Sequence, residues 1–148
     1  EYVQRAASEL VAAKVTQEDT SDQLIREAVL LERDRIKHFS ELPELVSFFF
    51  TRPKLKPDLL TAKLSADIVR IMLEQSISAL DGVGDEIDAI EGALRGLAEK
   101  HDYKAGELFS TIRVAITGRT TAPGLFETIA VLGVDETQQR LSRALAVF

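Results

Sequence analysis

The stretch "IRVAITGRTTAPGLFETIAVLG", residues 112–133, decides the fold predicted from this sequence. Apolar side chains recur every three or four residues on both sides of a polar turn, which is typical of two amphipathic helices. Gly118 suits the left-handed backbone that follows many helix ends, and Pro123-Gly124 suits the start of the next helix. Arg113 interrupts the first apolar run, and Arg119 lies in the turn. Spacing alone leaves two interpretations of Arg113 equally open, a surface side chain lying along apolar neighbours or a charge presented at a cleft.

The same helical spacing extends along the rest of the chain, and no segment shows the alternation expected of a strand. We therefore predict an all-α protein of about eight helices. Ser40, Ser65, Asp85 and Asp135 are predicted to cap four of them. The predicted helices span roughly residues 2–14, 21–38, 41–50, 66–80, 86–100, 105–117 and 125–132, with a last helix after Asp135.

The segment "TRPKLKPDLL", residues 51–60, breaks the helical pattern because it contains two prolines within five residues. It predicts two helical subdomains, residues 1–56 and 57–148. The run Phe48–Phe50 ends the helix before this break. Its aromatic rings could stack on RNA bases, but the preceding Leu45 and Val46 favour a place in the core.

Composition excludes several classes of function. The apolar fraction of 45% supports a globular core, and no apolar run reaches the roughly 18 residues of a membrane span. There are no cysteines, and the two histidines lack metal-ligand spacing, so a disulfide framework and a thiolate metal site are excluded. The net charge of −6 argues against a broad nucleic-acid surface. Two local basic clusters, residues 32–38 and 51–57, are interpreted as a solvated helix end and a loop.

An ordered series of motifs in the second half resembles the C-terminal end of bacterial glutamyl-tRNA synthetases. That family carries K-x-G-x-x-x-x-x-L-R-x-A-L-T-G-x-x-x-x-P-x-L-F-E-x-x-x-x-L-G, followed by a helix with R-L. The earlier "ERDRIKHFSELPELVSFFF", residues 32–50, is also similar to the family, so the resemblance extends from about residue 25 to residue 145. The matching residues are Lys104, Gly106, Ile112-Arg113, Ala115-Ile116-Thr117-Gly118, Pro123, Leu125-Phe126-Glu127, Leu132-Gly133 and Arg140-Leu141.

The resemblance implies a helical anticodon-binding region whose parent is a class I synthetase that ligates glutamate to tRNA(Glu). Residues 1–56 would then hold the end of the stem-contact region and a first anticodon-binding part. ATP, with magnesium, would bind a catalytic domain outside this chain, which should have no aminoacylation activity alone. The pattern at Glu1 starts within a helix, so we expect a piece of a longer protein. The parent is expected to be a cytoplasmic monomer that contacts neither membrane nor DNA.

The resemblance also implies roles for individual residues. Arg113 should hydrogen-bond anticodon bases, and Leu125 should pack against a splayed base. The turn of Thr121, Ala122 and Pro123 should add polar and backbone contacts, although some family members have threonine in place of Ala122. The alternative is a non-catalytic helical module of the same ancestry that docks a protein partner.

The first subdomain is implied to read the third anticodon position through an arginine. Arg35 is the best candidate for this role and Arg33 is the second. An arginine at this position would favour strict discrimination between glutamate and glutamine tRNAs. Contacts with the RNA backbone are assigned to Arg33, Lys37 and Arg119, with capping of the helix carbonyl end as the alternative for Arg119.

Overall fold

A computed structural model describes residues 2–13, 16, 20–33, 42–120 and 123–148. These residues form nine α-helices and contain no β-strand, so the predicted all-α class is confirmed. The chain divides into two compact units, Glu1–Arg52 and Pro53–Phe148. The helices are α1 (Tyr2–Ala12), α2 (Asp22–Glu32), α3 (Leu42–Phe50), α4 (Pro57–Leu60), α5 (Ala66–Leu80), α6 (Ile87–Lys100), α7 (Ala105–Thr117), α8 (Leu125–Leu132) and α9 (Val134–Leu145).

The first unit packs α1, α2 and α3 against one another. Ser21 begins α2 by accepting a hydrogen bond from the Leu24 N–H at 3.3 Å. Phe48 and Phe49 are 2% and 3% exposed, and their ring centroids lie 4.1 Å apart. The core interpretation of the phenylalanine run is therefore confirmed for these two rings.

The second unit is built around α5, which contacts α6, α7 and α9, while α8 packs on α6 and α9. Its core consists of aliphatic side chains from every helix, as their helical spacing requires. The most deeply buried large side chains are Met72, Leu73, Leu80, Ile90, Leu94, Leu108, Ile112, Ile116 and Ile129.

Local signals set the bounds of three helices as predicted. Ser65 accepts the Ile68 N–H at 3.3 Å and begins α5. Gly118, with a φ of +71°, ends α7, and Gly133, with a φ of +87°, ends α8. The predicted break at residues 51–60 contains one further element, the single turn α4, which Pro57 starts because its missing N–H has no helical partner there.

Two predicted helix caps are wrong. Glu86 rather than Asp85 precedes α6, and Gly133 rather than Asp135 precedes α9. Asp85 Oδ1 instead accepts the N–H of Val134, the first residue of α9, at 2.8 Å. The fold brings this carboxylate to a helix start 49 residues away, which a local sequence pattern could not reveal. The fourth predicted cap, Ser40, lies outside the described residues.

No helix in the described ranges is long and apolar enough to cross a membrane.

Candidate functional site

Arg113 lies on the C-terminal half of α7, between two core residues. Ile112 is fully buried and Val114 is 4% exposed, so the helix is anchored on both sides of the arginine. The Arg113 side chain is half-buried. Its Nε is buried and has no hydrogen-bond partner within the described part of the chain. A donor removed from water without an acceptor costs about 1–3 kcal/mol, so this group is suited to a partner outside the protein.

The last turn of α7 connects this arginine to the polar turn that follows. The buried Thr117 hydroxyl donates to the Arg113 carbonyl at 2.7 Å. The same oxygen accepts the Arg119 N–H at 3.1 Å. The Gly118 N–H returns to the Val114 carbonyl at 2.8 Å, closing the helix. The start of the turn is thus fixed relative to Arg113.

Gly118 is required for two reasons. Its φ of +71° is a left-handed conformation that side chains with a Cβ rarely adopt. A Cβ on Gly118 would also lie only 2.9 Å from Pro53 Cβ, closer than real carbon contacts allow. The segment at Pro53 therefore packs directly behind the end of α7.

Two arginines of α9 hold the same region from the core side. Arg140 is 3% exposed; its Nε donates to Glu136 Oε2 at 2.8 Å and its Nη1 donates to the Ile116 carbonyl at 2.8 Å. Ile116 lies in the last turn of α7, where carbonyls lack helical partners. Arg143 Nη1 donates to the Pro53 carbonyl at 2.7 Å. Sequence analysis matched Arg140 to the family motif but assigned it no role; the only local signal was Glu136, four residues earlier.

Arg95 is a cation that the sequence analysis missed. Its guanidinium carbon lies 5.5 Å from the centroid of the Phe109 ring and 5.6 Å from that of Phe126. The two rings meet edge to face at 5.2 Å. Phe109 precedes Arg113 by four residues, so both project from one face of α7. No spacing in the sequence connects Arg95 with two rings on other helices.

The remaining predicted site residues lie in several parts of the chain. Pro123 is buried and accepts a 3.4 Å hydrogen bond from the Thr128 hydroxyl. Leu125, at 4% exposure, belongs to the core, and its contact with a base stays a prediction. Arg33 is exposed at the end of α2, in the other unit. Four predicted site residues lie outside the described ranges: Thr121, Ala122, Arg35 and Lys37.

The site offers hydrogen-bond donors and aromatic faces, the groups that bind unpaired RNA bases. Within the described ranges, no group of three or more His, Cys, Asp or Glu side chains could hold a metal ion. The described residues thus form an all-α domain whose candidate site is built from arginine and phenylalanine side chains.

Comparison with known proteins identifies the family of this domain. The sequence model of the family described as "Anticodon binding domain" matches residues 1–145. The chain belongs to this family.

The relatives found are glutamate–tRNA ligases of considerably greater length. The chain is 38% identical to the glutamate–tRNA ligase of Roseiflexus sp. (strain RS-1) over 124 residues, 78% of this chain and 24% of that protein. It is also 38% identical to the glutamate–tRNA ligase of Herpetosiphon aurantiacus over 152 aligned positions, 99% of this chain and 31% of that protein. The chain thus spans 24% to 31% of the length of these relatives.

A solved structure shows the same fold. The glutamate tRNA ligase from Elizabethkingia meningosepticum superimposes with a TM-score of 0.81 at 18% sequence identity, covering 99% of this chain and 29% of that one. At this identity the likeness concerns the fold alone.

Proposed function

We propose that this chain is the anticodon-binding region of a glutamate–tRNA ligase and that it recognises the anticodon loop of tRNA(Glu). The observation that carries the proposal is Arg113, whose Nε is buried without an acceptor among the described residues. The family match and the ligase relatives favour RNA over a protein partner. The parent would act as a cytoplasmic monomer and would use ATP with magnesium outside this chain. The chain alone should not aminoacylate.

The chemistry of the guanidinium suits this task. Anticodon bases are unpaired and can leave the stack, which exposes their Watson–Crick edges to a side chain. Arginine presents donors in a fixed plane, so it can bond two acceptors on one base edge. Arg113 is also half removed from water, and its backbone carbonyl is held by Thr117. A bidentate contact of this kind discriminates by about 1–3 kcal/mol for each base.

The cluster of Arg95, Phe109 and Phe126 supports RNA binding on the same face of α7. The Arg95 side chain is 53% exposed and pairs with Glu91 at 2.6 Å. Because exposed ion pairs contribute only about 0–1 kcal/mol, an RNA phosphate can compete with Glu91 for this guanidinium. The two aromatic rings beneath Arg95 attract its guanidinium through cation–π interactions and orient it. We assign Arg95 to the RNA backbone.

The other assignments follow from the motif. Thr121, Ala122 and Pro123 would contact the anticodon through the turn, and Leu125 would pack against a base. Ala122 lacks the hydroxyl that some relatives supply, so one hydrogen bond is missing. In the first unit, Arg35, or Arg33 in its place, would read the third anticodon position. Backbone contacts are proposed for Arg33, Lys37 and Arg119.

The test uses an RNA hairpin that carries the anticodon stem and loop of a glutamate tRNA, together with hairpins altered at each anticodon base. Titration of the wild-type chain should show a preference for the unaltered hairpin. Arg113→Ala should reduce this preference by about 5- to 150-fold at one or more positions, the equivalent of about 1–3 kcal/mol. Arg70 is an exposed arginine on α5. Arg70→Ala is therefore the matched control and should leave the preference intact.

Unchanged discrimination by Arg113→Ala would remove this residue from the proposal. A wild-type chain that binds all the hairpins equally would remove anticodon recognition altogether.

A further inference from the structure

Charge is unevenly distributed over the second unit. Residues 53–64 together with 104–120 carry six basic and two acidic side chains, a net charge of +4. The rest of that unit carries five basic and twelve acidic side chains, a net charge of −7. The two basic segments touch each other, since α4 packs against α7 and Pro53 lies against Gly118. The second unit, which is acidic elsewhere, thus has a basic region next to the site of Arg113.

A crevice of about 400 Å³ lies where these two segments meet. Leucine and valine side chains line it, among them Leu59, Leu64 and Val114. Two exposed lysines, Lys63 and Lys104, also line it. Its volume lies within the range of about 300–1,000 Å³ that is typical of ligand-binding clefts.

The crevice extends to the residue that precedes the proposed anticodon turn. Thr120, the last described residue before that turn, is one of its lining residues. Val114, which follows Arg113 directly, is another. A nucleotide in the crevice would therefore be a close neighbour of a base bound by Arg113.

We propose that this crevice, which we call the α4–α7 crevice, binds one nucleotide of the anticodon loop that flanks the bases read by Arg113. The proposal rests on the proposed function. The base packs on the leucine and valine wall, and Lys63 and Lys104 neutralise its phosphates. Glu107 also lines the crevice, so the lysines outnumber the carboxylate by two to one among its lining residues.

The chemistry of the wall determines what such a subsite contributes. Leucine and valine carbons contact the face of any base and carry little information about its identity, whereas hydrogen bonds to base edges do. Lysine contacts with phosphates are likewise independent of sequence and depend on salt. The α4–α7 crevice should therefore raise affinity for every anticodon equally, while Arg113 provides the choice among anticodons.

The first test fills the crevice without changing charge. Gly106 lines it, and a Cβ built there meets no described atom within 4 Å. Gly106→Leu should therefore fold normally while its side chain occupies the space of the base. Affinity for the tRNA(Glu) anticodon hairpin should fall about fivefold or more. Gly96 on α6 has the same open surroundings among described atoms but lines a different groove, so Gly96→Leu is the matched control.

The second test removes charge without filling the crevice. In the double variant Lys63→Ala/Lys104→Ala, the slope of log affinity against log salt should become shallower by about 1.4, or about 0.7 for each lost contact to single-stranded RNA. Lys100 is an exposed lysine at the end of α6. Lys100→Ala should leave the slope unchanged.

These measurements separate the crevice from the proposed function. Suppose that Gly106→Leu and the double lysine variant bind the hairpin like wild type, while Arg113→Ala loses anticodon preference. Anticodon recognition would then stand and the crevice subsite would be overturned, as expected if the crevice instead received an acidic protein segment. A loss of anticodon preference in Gly106→Leu would also overturn the division of roles. Absence of RNA binding by the wild-type chain would overturn both proposals.

Discussion

Two arginines near the end of α7 have opposite environments. Arg140 reaches the helix from the core side and is 3% exposed, with donors bonded to Glu136 and to the Ile116 carbonyl. Arg113 belongs to α7 itself, and its buried Nε has no acceptor within the described residues. A buried cation with acceptors maintains the fold, whereas a buried donor without one lowers stability. The difference indicates that Arg140 orders the end of α7, and it is consistent with the RNA contact proposed for Arg113.

The most severe test of this comparison is Arg140→Ala. The substitution leaves the Ile116 carbonyl unpaired and opens a cavity between α7 and α9. We expect the free energy of unfolding to fall by about 3–5 kcal/mol, measured by urea denaturation. Arg140→Lys, which keeps the charge but loses the two-pronged geometry, should lie between wild type and alanine. A loss below about 1 kcal/mol for Arg140→Ala would contradict the structural role.

Gly118→Ala tests how tightly the core side is packed. The left-handed φ of +71° costs roughly 1–2 kcal/mol for alanine, and the contact with Pro53 adds to that cost. Gly82 has a similar φ of +76°, but its Cβ would meet no described atom within 4 Å, so Gly82→Ala isolates the backbone cost. Gly118→Ala should be the more destabilising by about 1 kcal/mol in thermal or urea unfolding. Equal effects would show that the Pro53 contact carries no energy.

Asp85→Ala extends the comparison to the start of α9, the helix that carries Arg140. Loss of the 2.8 Å bond to the Val134 N–H should cost about 1 kcal/mol of unfolding free energy. Asp85→Asn keeps an acceptor oxygen and should retain most of the stability. Asp135→Asn, at the position where the sequence predicted a cap, should change it by only about 0.3–1 kcal/mol through the helix dipole. A larger effect at Asp135 than at Asp85 would reverse the assignment.

The smallest effect is expected at Arg113. Arg113→Met keeps the apolar length of the side chain and removes the donor that lacks an acceptor. The free energy of unfolding should stay within about 0.5 kcal/mol of wild type or rise slightly, because no internal bond is lost. Urea denaturation measures this directly. A loss of about 2 kcal/mol or more would mean that Arg113 stabilises the fold, and the contrast with Arg140 would fail.

Much of the fold could be predicted because some helices carry their own boundary signals. Ser65 precedes α5, Gly118 follows α7, and Gly133 follows α8, each with the conformation or hydrogen bond that its residue type favours. These signals act within one helical turn, so they are visible in sequence. The family motif added the roles proposed for Arg113 and the turn, which helical spacing had left open.

What escaped prediction depends on distant neighbours. Asp85 bonds to a residue 49 positions away, and Arg95 lies over rings from two other helices. Arg140 lies where α7 offers it a carbonyl, in addition to the carboxylate of Glu136 on its own helix. The α4–α7 crevice exists because residues 59–64 pack beside α7. Such features arise from tertiary packing, which local sequence patterns do not reveal.

The contacts of Pro53 determine at which residue a fragment of the second unit should begin. Its carbonyl accepts from Arg143 near the C-terminal end, and its ring lies against Gly118. The first residue of the second unit is therefore hydrogen-bonded to its last helix, so the two ends of the unit are in contact. A fragment that starts at Pro53 keeps these two contacts. One that starts at residue 57, where the second proline suggests a boundary, would lose the contact with Gly118 and the bond from Arg143 although α7 and α9 are still present.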